Sequence, residues 1–399
     1  MTDTERGIAN LDLLTSPPGV ELLARLAGVE LTEGSELALA AALRRDFPAE
    51  LVTAALGLHE LRQRARVKFT RAGAMWLTRD GLEQASAEPV ARHRAARYAG
   101  ADRVADLCCG IGGDLVALAG RSDGAGAADS VGEVLAVDRD PLHLRMAARN
   151  AEVYGVSART WLGDVREADL AGVDAVFVDP ARRAGGRRLR TGVSEPPLDW
   201  CAALAASVPA VGVKAAPGLD KAGVPAGWEV EFVADGRELK EAVLWSPALS
   251  GGVPSRATLL PGGHQLLPEP GPAVPSRPPG EYLLDPNPAV TRAGLVEDLA
   301  RRLGAWKIDP RIAFLSAATP LRTPFGRTLR VLDSGPWREK DLVGRLRALD
   351  VGALDIRRRG LAGDVDVLRR KLRTTGSVPA TLVMTRVDDR PWALICVDA

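Results

Sequence analysis

Short apolar runs alternate with amphipathic segments through the middle of the chain. Four runs have this character, at residues 104–109, 134–138, 175–179 and 209–214. Between the second and the third, the stretch DPLHLRMAARNAEVYG predicts a helix with Asp140 as its N-cap, Pro141 in its first turn and Gly155 as its stop. Strands that are apolar along their whole length and alternate with helices indicate a parallel sheet covered on both faces.

The N-terminal part of the chain has a helical pattern throughout. Within residues 1–66, apolar residues recur at helical spacing in three segments. These segments begin near Ser16, Ser35 and Ala49. Further along, the runs VKFT (67–70) and AMWL (74–77) are expected to form short strands, and residues 86–98 a helix.

The C-terminal part has a different character. Two alternating runs flank Asp235-Gly236 within residues 228–245, which predicts an antiparallel hairpin. Pro and Gly are so dense over 251–282 that this segment is expected to be a linker. A second α/β unit is expected over 283–399. Its helices are expected near 288–304, 338–349 and 364–373, and its strands at 353–358 and 380–387.

Length and composition narrow the class of protein. The 399 residues suit two or three domains, and the small polar stretch 121–132 is expected to be a surface loop. The 52 Lys and Arg nearly balance 51 Asp and Glu, so any nucleic-acid binding must come from local patches. Four cysteines without zinc-type pairing argue against a disulfide scaffold and a metal site. Without a signal or membrane pattern, we expect a cytoplasmic protein that does not enter membranes.

A glycine-rich turn follows the first apolar run, in the sequence DLCCGIGGD over 106–114. Its spacing does not match the dinucleotide fingerprint, and no Gly-Lys-Ser/Thr follows that would indicate a triphosphate site. Four carboxylates stand at successive strand ends, namely Asp106, Asp138, Asp164 and Asp179. Each could instead be a helix N-cap, but strand ends of a parallel sheet share one edge, so the four together predict one ligand crevice. In such a crevice Asp138 could bond ribose hydroxyls, and Asp164 an amino group such as adenine N6.

The series DLCCGIGGD, AVDRD, GDV and VDPAR resembles the motifs of class I S-adenosylmethionine-dependent methyltransferases. The resemblance implies a Rossmann-like sheet over 67–250 and S-adenosylmethionine as cofactor. Asp106, Gly110 and Gly112 would bound the methionine end, Asp138 would hold the ribose, and Asp164 with Val165 would meet the adenine. The neighbouring residues implied in cofactor binding are Cys108, Gly113, Asp114 and Arg139, with Gln84 and Ser86 as further neighbours.

The form DPxR resembles the RNA-modifying branch, and the glycine element is similar to that of trimethylguanosine synthase. The resemblance places Asp179, Pro180 and Arg182 at the methyl acceptor. ALDIRRRG and ATLVMTRV, within 283–399, resemble a THUMP-like domain. No aromatic residue follows Asp179-Pro180 where amino-methylating enzymes stack the target base. Phe177, Trp161 and Trp200 are each better explained as packing residues.

The positions of the cysteines in the sequence argue against a cysteine nucleophile. The strand after DPxR contains Lys214 and no cysteine, which argues against covalent methylation of a pyrimidine carbon. Cys201 lies in an apolar helical stretch, and Cys108 and Cys109 are better explained as packing residues than as nucleophiles.

Five arginines occur in the nine residues 182–190, directly after Asp179-Pro180. We expect this flexible segment to bind RNA phosphates through Arg183, Arg187 and Arg188, with Lys214 as a further substrate-binding cation. A solvated loop is the alternative. The expected function is methylation of a base in structured RNA, such as tRNA or rRNA. A small-molecule or protein methyltransferase and a noncatalytic RNA-binding module remain alternatives.

Overall fold

A computed structural model describes residues 2–32, 34–120, 133–181, 183–184, 187–188 and 194–399. The chain forms two compact units. The first comprises Met1–Trp228 and Val243–Gly252, and the second comprises Glu229–Ala242 and Val253–Ala399. The expected surface loop at 121–132 lies outside the described residues. No helix in the described part of the chain is long and apolar enough to cross a membrane.

Nine α-helices occur in the described residues of the first unit. They are α1 (Asp3–Thr15), α2 (Pro17–Leu26), α3 (Glu36–Leu43), α4 (Ala49–Ala65), α5 (Arg79–Gln84), α6 (Glu88–Ala95), α7 (Gly113–Ala119), α8 (Pro141–Tyr154) and α9 (Leu198–Ala203). The predicted start of a helix near Ser16 and the predicted cap and stop of α8 are confirmed. Ser16 accepts a hydrogen bond from the Gly19 amide, Asp140 accepts from Leu142 and His143, and Gly155 ends α8.

A parallel sheet forms the centre of the first unit. Its strands are β1 (Arg103–Leu107), β2 (Glu133–Asp138), β3 (Arg159–Leu162), β4 (Ala175–Val178) and β7 (Ala210–Ala215). They lie in the order β3-β2-β1-β4-β7, and every neighbouring pair is parallel. A separate two-stranded ladder joins β5 (Arg183–Ala184) and β6 (Arg187–Arg188). The predicted α/β architecture with a Rossmann-like sheet is confirmed, and the carboxyl ends of β1 to β4 share one edge.

The N-terminal helices pack onto the sheet domain. One continuous apolar cluster joins Leu11, Leu22 and Leu51 of these helices to Met146 of α8 and to Ile111 of the glycine-rich turn. The expected boundary at residue 66 therefore does not separate two compact units, because these buried side chains form a common core across it.

The predicted strands at 67–70 and 74–77 are wrong. A short 3-10 helix occupies Ala72–Ala74, turns precede it, and residues 75–77 after it belong to no strand or helix. The alternating apolar residues Phe69 and Met75 are buried, but they pack into the helical cluster instead of a ladder. Lys68 donates to three carbonyl oxygens near the end of α5, and this arrangement holds the segment in a turn.

Strands dominate the second unit. It contains β8 (Glu229–Asp235), the first residues of β9 (Glu238–Trp245), β10 (Ser255–Leu260), β11 (His264–Leu266), β12 (Tyr282–Pro286), β13 (Trp306–Lys307), β14 (Leu315–Ala317), β15 (Gly326–Pro336), β16 (Val351–Arg358), β17 (Val378–Val387) and β18 (Arg390–Asp398). Its helices are α10 (Pro288–Ala293), α11 (Val296–Leu303), α12 (Glu339–Ala348) and α13 (Val365–Leu372). The strand order β13-β14-β12-β15-β18-β17-β16 gives a mainly antiparallel sheet in which β16 and β17 are parallel.

The predicted linker over 251–282 is wrong for its first half. Every residue of β10 is buried, and β10 pairs in parallel with β8. The sequence does not indicate this strand, because RATLL is too short to show a clear period and the residues around it are rich in Pro and Gly. The helix expected near 288–304 is divided at Gly294, whose φ of 80° ends α10.

Candidate active site

The glycine-rich turn between β1 and α7 has three residues in the left-handed region. These are Cys108 (φ 64°), Gly110 (φ 54°) and Gly112 (φ 86°). A Cβ added at Gly112 would lie 3.0 Å from the Ala147 Cα of α8, whereas a Cβ at Gly110 would meet no atom within 4 Å. The turn is therefore tightly packed at Gly112 and borders open space at Gly110.

Asp138, at the end of β2, fastens this turn to the sheet. Its Oδ2 accepts a hydrogen bond from the Gly110 amide at 2.8 Å, and its Oδ1 accepts one from the Asp140 amide at 2.9 Å. The helix cap of α8 is Asp140, so Asp138 is not the N-cap of that helix. Its carboxylate stays partly exposed and retains lone pairs for a further donor.

Asp106 is the least satisfied polar residue of the site. Its side chain is fully buried, and in the described part of the chain neither carboxylate oxygen has a hydrogen-bond partner. Burial raises the pKa of Asp106 well above its usual range, and the negative charges of Asp114 and Asp179 add to this rise. A ligand with an ammonium or N–H donor would supply the missing partner.

Asp179 and Pro180 follow β4 on the same edge of the sheet. The Asp179 amide donates to the Leu107 carbonyl at 3.1 Å, which places this residue beside the end of β1. Lys214 of β7 donates to Asp179 Oδ2 at 2.6 Å, and the Asp179 side chain is 25% exposed. Pro180 is buried behind it. Asp179 is thus held in place and remains accessible to a ligand.

Two ion pairs place a cation beside an aspartate of the site. One is the pair of Lys214 with Asp179 described above, and the other joins Arg94 and Asp114. Arg94 of α6 forms a buried ion pair with Asp114 in the first turn of α7, and its guanidinium lies 5.1 Å from the centre of the Phe177 ring. Arg94 was missed from the sequence, because it stands in an arginine-rich helix with nothing to distinguish it from its neighbours. Gly113, the first residue of α7, packs against Ala85.

The expected adenine-binding residues lie at the neighbouring strand end. Asp164 follows β3 and is paired with Arg166, which donates both its amide and its guanidinium to the carboxylate. Arg166 also bonds Glu195 at 2.6 Å. Val165 is buried, whereas Arg139, after β2, is exposed. Arg166 is a second neighbour of the site that the sequence did not indicate.

Four residues of the arginine-rich segment are described as strand, and they form two short paired strands. β5 and β6 pair with Arg183 opposite Arg188 and Ala184 opposite Arg187. The sequence suggests a flexible loop, and the four described residues of the segment pair as an antiparallel ladder. Arg182 lies outside the described residues.

Phe177 and Cys201 pack within apolar clusters. Phe177 is buried within the sheet, and Cys201 is buried in α9, as expected. Burial raises the pKa of Cys201 to about 12 and that of Cys108 well above its usual range. These thiols are therefore protonated at neutral pH and are poor nucleophiles.

Comparison with protein families gives three matches. Residues 101–190 match the RNA cap guanine-N2 methyltransferase family, and residues 326–397 match a THUMP domain-like family. Residues 7–65 match a domain family of unknown function.

Two curated relatives and one solved structure are similar over most of the chain. The relatives come from Mycobacterium tuberculosis strains CDC 1551 / Oshkosh and ATCC 25618 / H37Rv, and each is named an uncharacterized S-adenosylmethionine-dependent methyltransferase. Each is 39% identical over 325 residues, which cover 79% of this chain and 86% of the relative. A Porphyromonas gingivalis W83 crystal structure, described as a candidate methyltransferase, has a TM-score of 0.72 at 21% identity and covers 92% of this chain and 99% of its own. That structure supports the fold.

Proposed function

The chain belongs to the S-adenosylmethionine-dependent methyltransferases, and on that premise we propose that it methylates a base in structured RNA. Enzyme class and cofactor follow from the curated relatives. The RNA substrate, the acceptor residues and the cofactor contacts are our proposals. The observation that carries the substrate class is the arginine-rich segment 182–190, which follows Asp179-Pro180 in the sequence and contains the paired strands β5 and β6.

The residues around the glycine-rich turn fit the cofactor. The fully buried carboxylate of Asp106 has no partner in the described residues and suits an ammonium group. The open space at Gly110 allows a ligand to approach the backbone closely, and Asp138 beside it suits a pair of hydroxyl groups. When bound, S-adenosylmethionine supplies a methyl group already activated on a sulfonium. The protein therefore has to align an acceptor.

Asp179 is proposed to orient the acceptor. Its carboxylate can accept a hydrogen bond from an N–H group of a base, with the Pro180 carbonyl beside it as a second acceptor. Lys214 holds one carboxylate oxygen, so the direction of the other is constrained. Alignment of two reacting groups contributes about 7–11 kcal/mol to rate enhancement in favourable cases.

RNA is favoured by two further observations. The family match over 101–190 is to RNA cap guanine-N2 methyltransferases and spans the glycine turn, Asp138, Asp164 and Asp179. The second match is to a THUMP-like domain in the second unit. Because the net charge of the chain is only +1, phosphate binding needs a concentrated patch such as Arg183, Arg187 and Arg188.

Nucleoside mass spectrometry tests this proposal. RNA from a strain lacking the gene is compared with RNA from its parent, and then incubated with purified protein and isotope-labelled S-adenosylmethionine. We expect one methylated nucleoside to be missing and to return with the label. An Asp341→Ala variant, changed at an exposed site on α12, should restore it equally well.

Other results would reject the RNA assignment. An unchanged set of methylated nucleosides, with label entering protein or small molecules, would favour another acceptor class. Cofactor binding without label transfer to any RNA fraction would favour the noncatalytic module.

A further inference from the structure

Lys214 lies in an unusual place for a cation expected to contact substrate. It is on β7 inside the parallel sheet, and its side chain is only 9% exposed. Its ammonium donates to Asp179 Oδ2 at 2.6 Å and to Ser86 Oγ at 3.0 Å. A phosphate-binding lysine needs an accessible ammonium, whereas this ammonium is directed onto two protein oxygens.

Ser86 continues the contacts towards the glycine-rich turn. Its hydroxyl accepts a hydrogen bond from Lys214 and donates one to Asp114 Oδ2 at 3.4 Å. One hydroxyl group can make both bonds, because it uses a lone pair for the first and its proton for the second. Asp114 is held on its other oxygen by Arg94. The series therefore runs from the end of β4, through β7 and the segment before α6, to the first turn of α7.

This connection joins the two halves of the site. Asp114 stands two residues after Gly112, in the first turn of α7 that directly follows the glycine-rich turn, and Asp179 stands at the proposed acceptor side. A carboxylate held at one oxygen by a buried cation has few orientations, and charge-assisted hydrogen bonds of this kind are the stronger ones. Methyl transfer requires in-line alignment, so a loss of orientation at Asp179 lowers the rate more than it lowers binding.

We propose that Lys214 is a positioning residue which fixes Asp179 against the cofactor turn through Ser86 and Asp114. The proposal rests on the proposed role of Asp179 at the acceptor. It gives Lys214 a role in orientation where the sequence predicts substrate binding, and it adds Ser86 to the residues that set the rate.

The kinetic test compares Lys214→Met, Lys214→Arg and Ser86→Ala with wild type, using deletion-strain RNA as acceptor. We expect Lys214→Met to lower kcat by roughly 10–100-fold while the KM for RNA changes little. Lys214→Arg should recover part of kcat, because a guanidinium can still donate to Asp179. Ser86→Ala should act in the same direction with a smaller loss. Lys340→Met, at an exposed site on α12, is the matched control.

A rise in KM with an unchanged kcat would overturn the proposal, because it would show that Lys214 binds substrate. Calorimetry of cofactor binding accompanies the kinetics. Lys214→Met should leave the cofactor Kd within about threefold of wild type, because in this proposal Lys214 orients Asp179 and does not bind the cofactor.

A second test does not depend on the acceptor. Urea unfolding is measured for Lys214→Met, Asp179→Asn and the double variant. Because the two side chains form one ion pair, the shift of the midpoint in the double variant should be smaller than the sum of the single shifts. Additive shifts would overturn the pairing. If coupling is found but wild type transfers no methyl to RNA, the proposed substrate is wrong while the pairing of Lys214 with Asp179 stands. The same kcat and KM comparison with the acceptor that does receive the label then decides the positioning role.

Discussion

Two glycines of one turn offer a matched perturbation, because the structure gives their added methyl groups different surroundings. Both Gly110 and Gly112 have positive φ, so alanine at either position costs about 1–2 kcal/mol in backbone strain. At Gly112 the new Cβ would also lie 3.0 Å from the Cα of Ala147 and 3.2 Å from its Cβ. Overpacking of this kind costs typically ~1–3 kcal/mol more, since backbone atoms of a helix cannot move aside easily.

We therefore expect Gly112→Ala to lower the free energy of unfolding by about 2–5 kcal/mol and Gly110→Ala by about 1–2 kcal/mol. The methyl group at Gly110 instead enters the open space proposed for the cofactor. For Gly110→Ala we expect cofactor affinity to fall about tenfold or more, equivalent to ~1.4 kcal/mol. This variant should therefore lose affinity although its loss of stability is smaller than that of Gly112→Ala.

Urea unfolding and calorimetry with S-adenosylmethionine measure the two quantities. Gly57→Ala is the control, because Gly57 lies inside α4 with an ordinary helical backbone and nothing within 4 Å of an added Cβ. It should stabilise the protein by up to about 1 kcal/mol. Equal losses of stability at Gly110 and Gly112, or an unchanged Kd in Gly110→Ala, would refute this account of the turn.

Three carboxylates give further predictions. Asp138→Ala should weaken cofactor binding by about tenfold or more, because charge-assisted hydrogen bonds contribute roughly 1.5–3 kcal/mol, and an unchanged Kd in calorimetry would remove Asp138 from the site. Asp179→Ala should keep cofactor affinity and lose methyl transfer, so unaltered turnover of labelled RNA would reject its acceptor role. Asp106 has a raised pKa, so its contribution to stability is present below the usual carboxyl pKa and is lost as pH rises through the raised value. Asp106→Asn should therefore raise the cofactor-free Tm at neutral pH and weaken cofactor binding. A lower Tm across the pH range would contradict this reasoning.

The sheet and its acidic edge could be predicted because their signals are local. Apolar runs that end in aspartate identify buried parallel strands, and the Asp140 cap with the Gly155 stop defines α8 within a residue. Parallel connectivity then brings Asp106, Asp138 and Asp179 to a common edge without further information.

The rest depends on packing that no local pattern encodes. Met75 alternates like a strand residue but packs among helices, and β10 lies inside a Pro- and Gly-rich stretch. Arg94 and Lys214 are ordinary cations in the sequence. Their roles appear only when distant segments meet, as Lys214 and Ser86 do across 128 residues.

Ile111 links the two parts of the first unit, since it stands between the glycines of the turn and also belongs to the apolar cluster of the N-terminal helices. We therefore expect occupancy of the proposed cofactor site and order in those helices to be thermodynamically linked. A ligand that stabilises the turn should make local opening of α1 and α4 less frequent, and a substitution that loosens those helices should lower the affinity for the ligand. On this account, sequence changes in residues 7–65, although outside the methyltransferase motifs, would alter cofactor affinity.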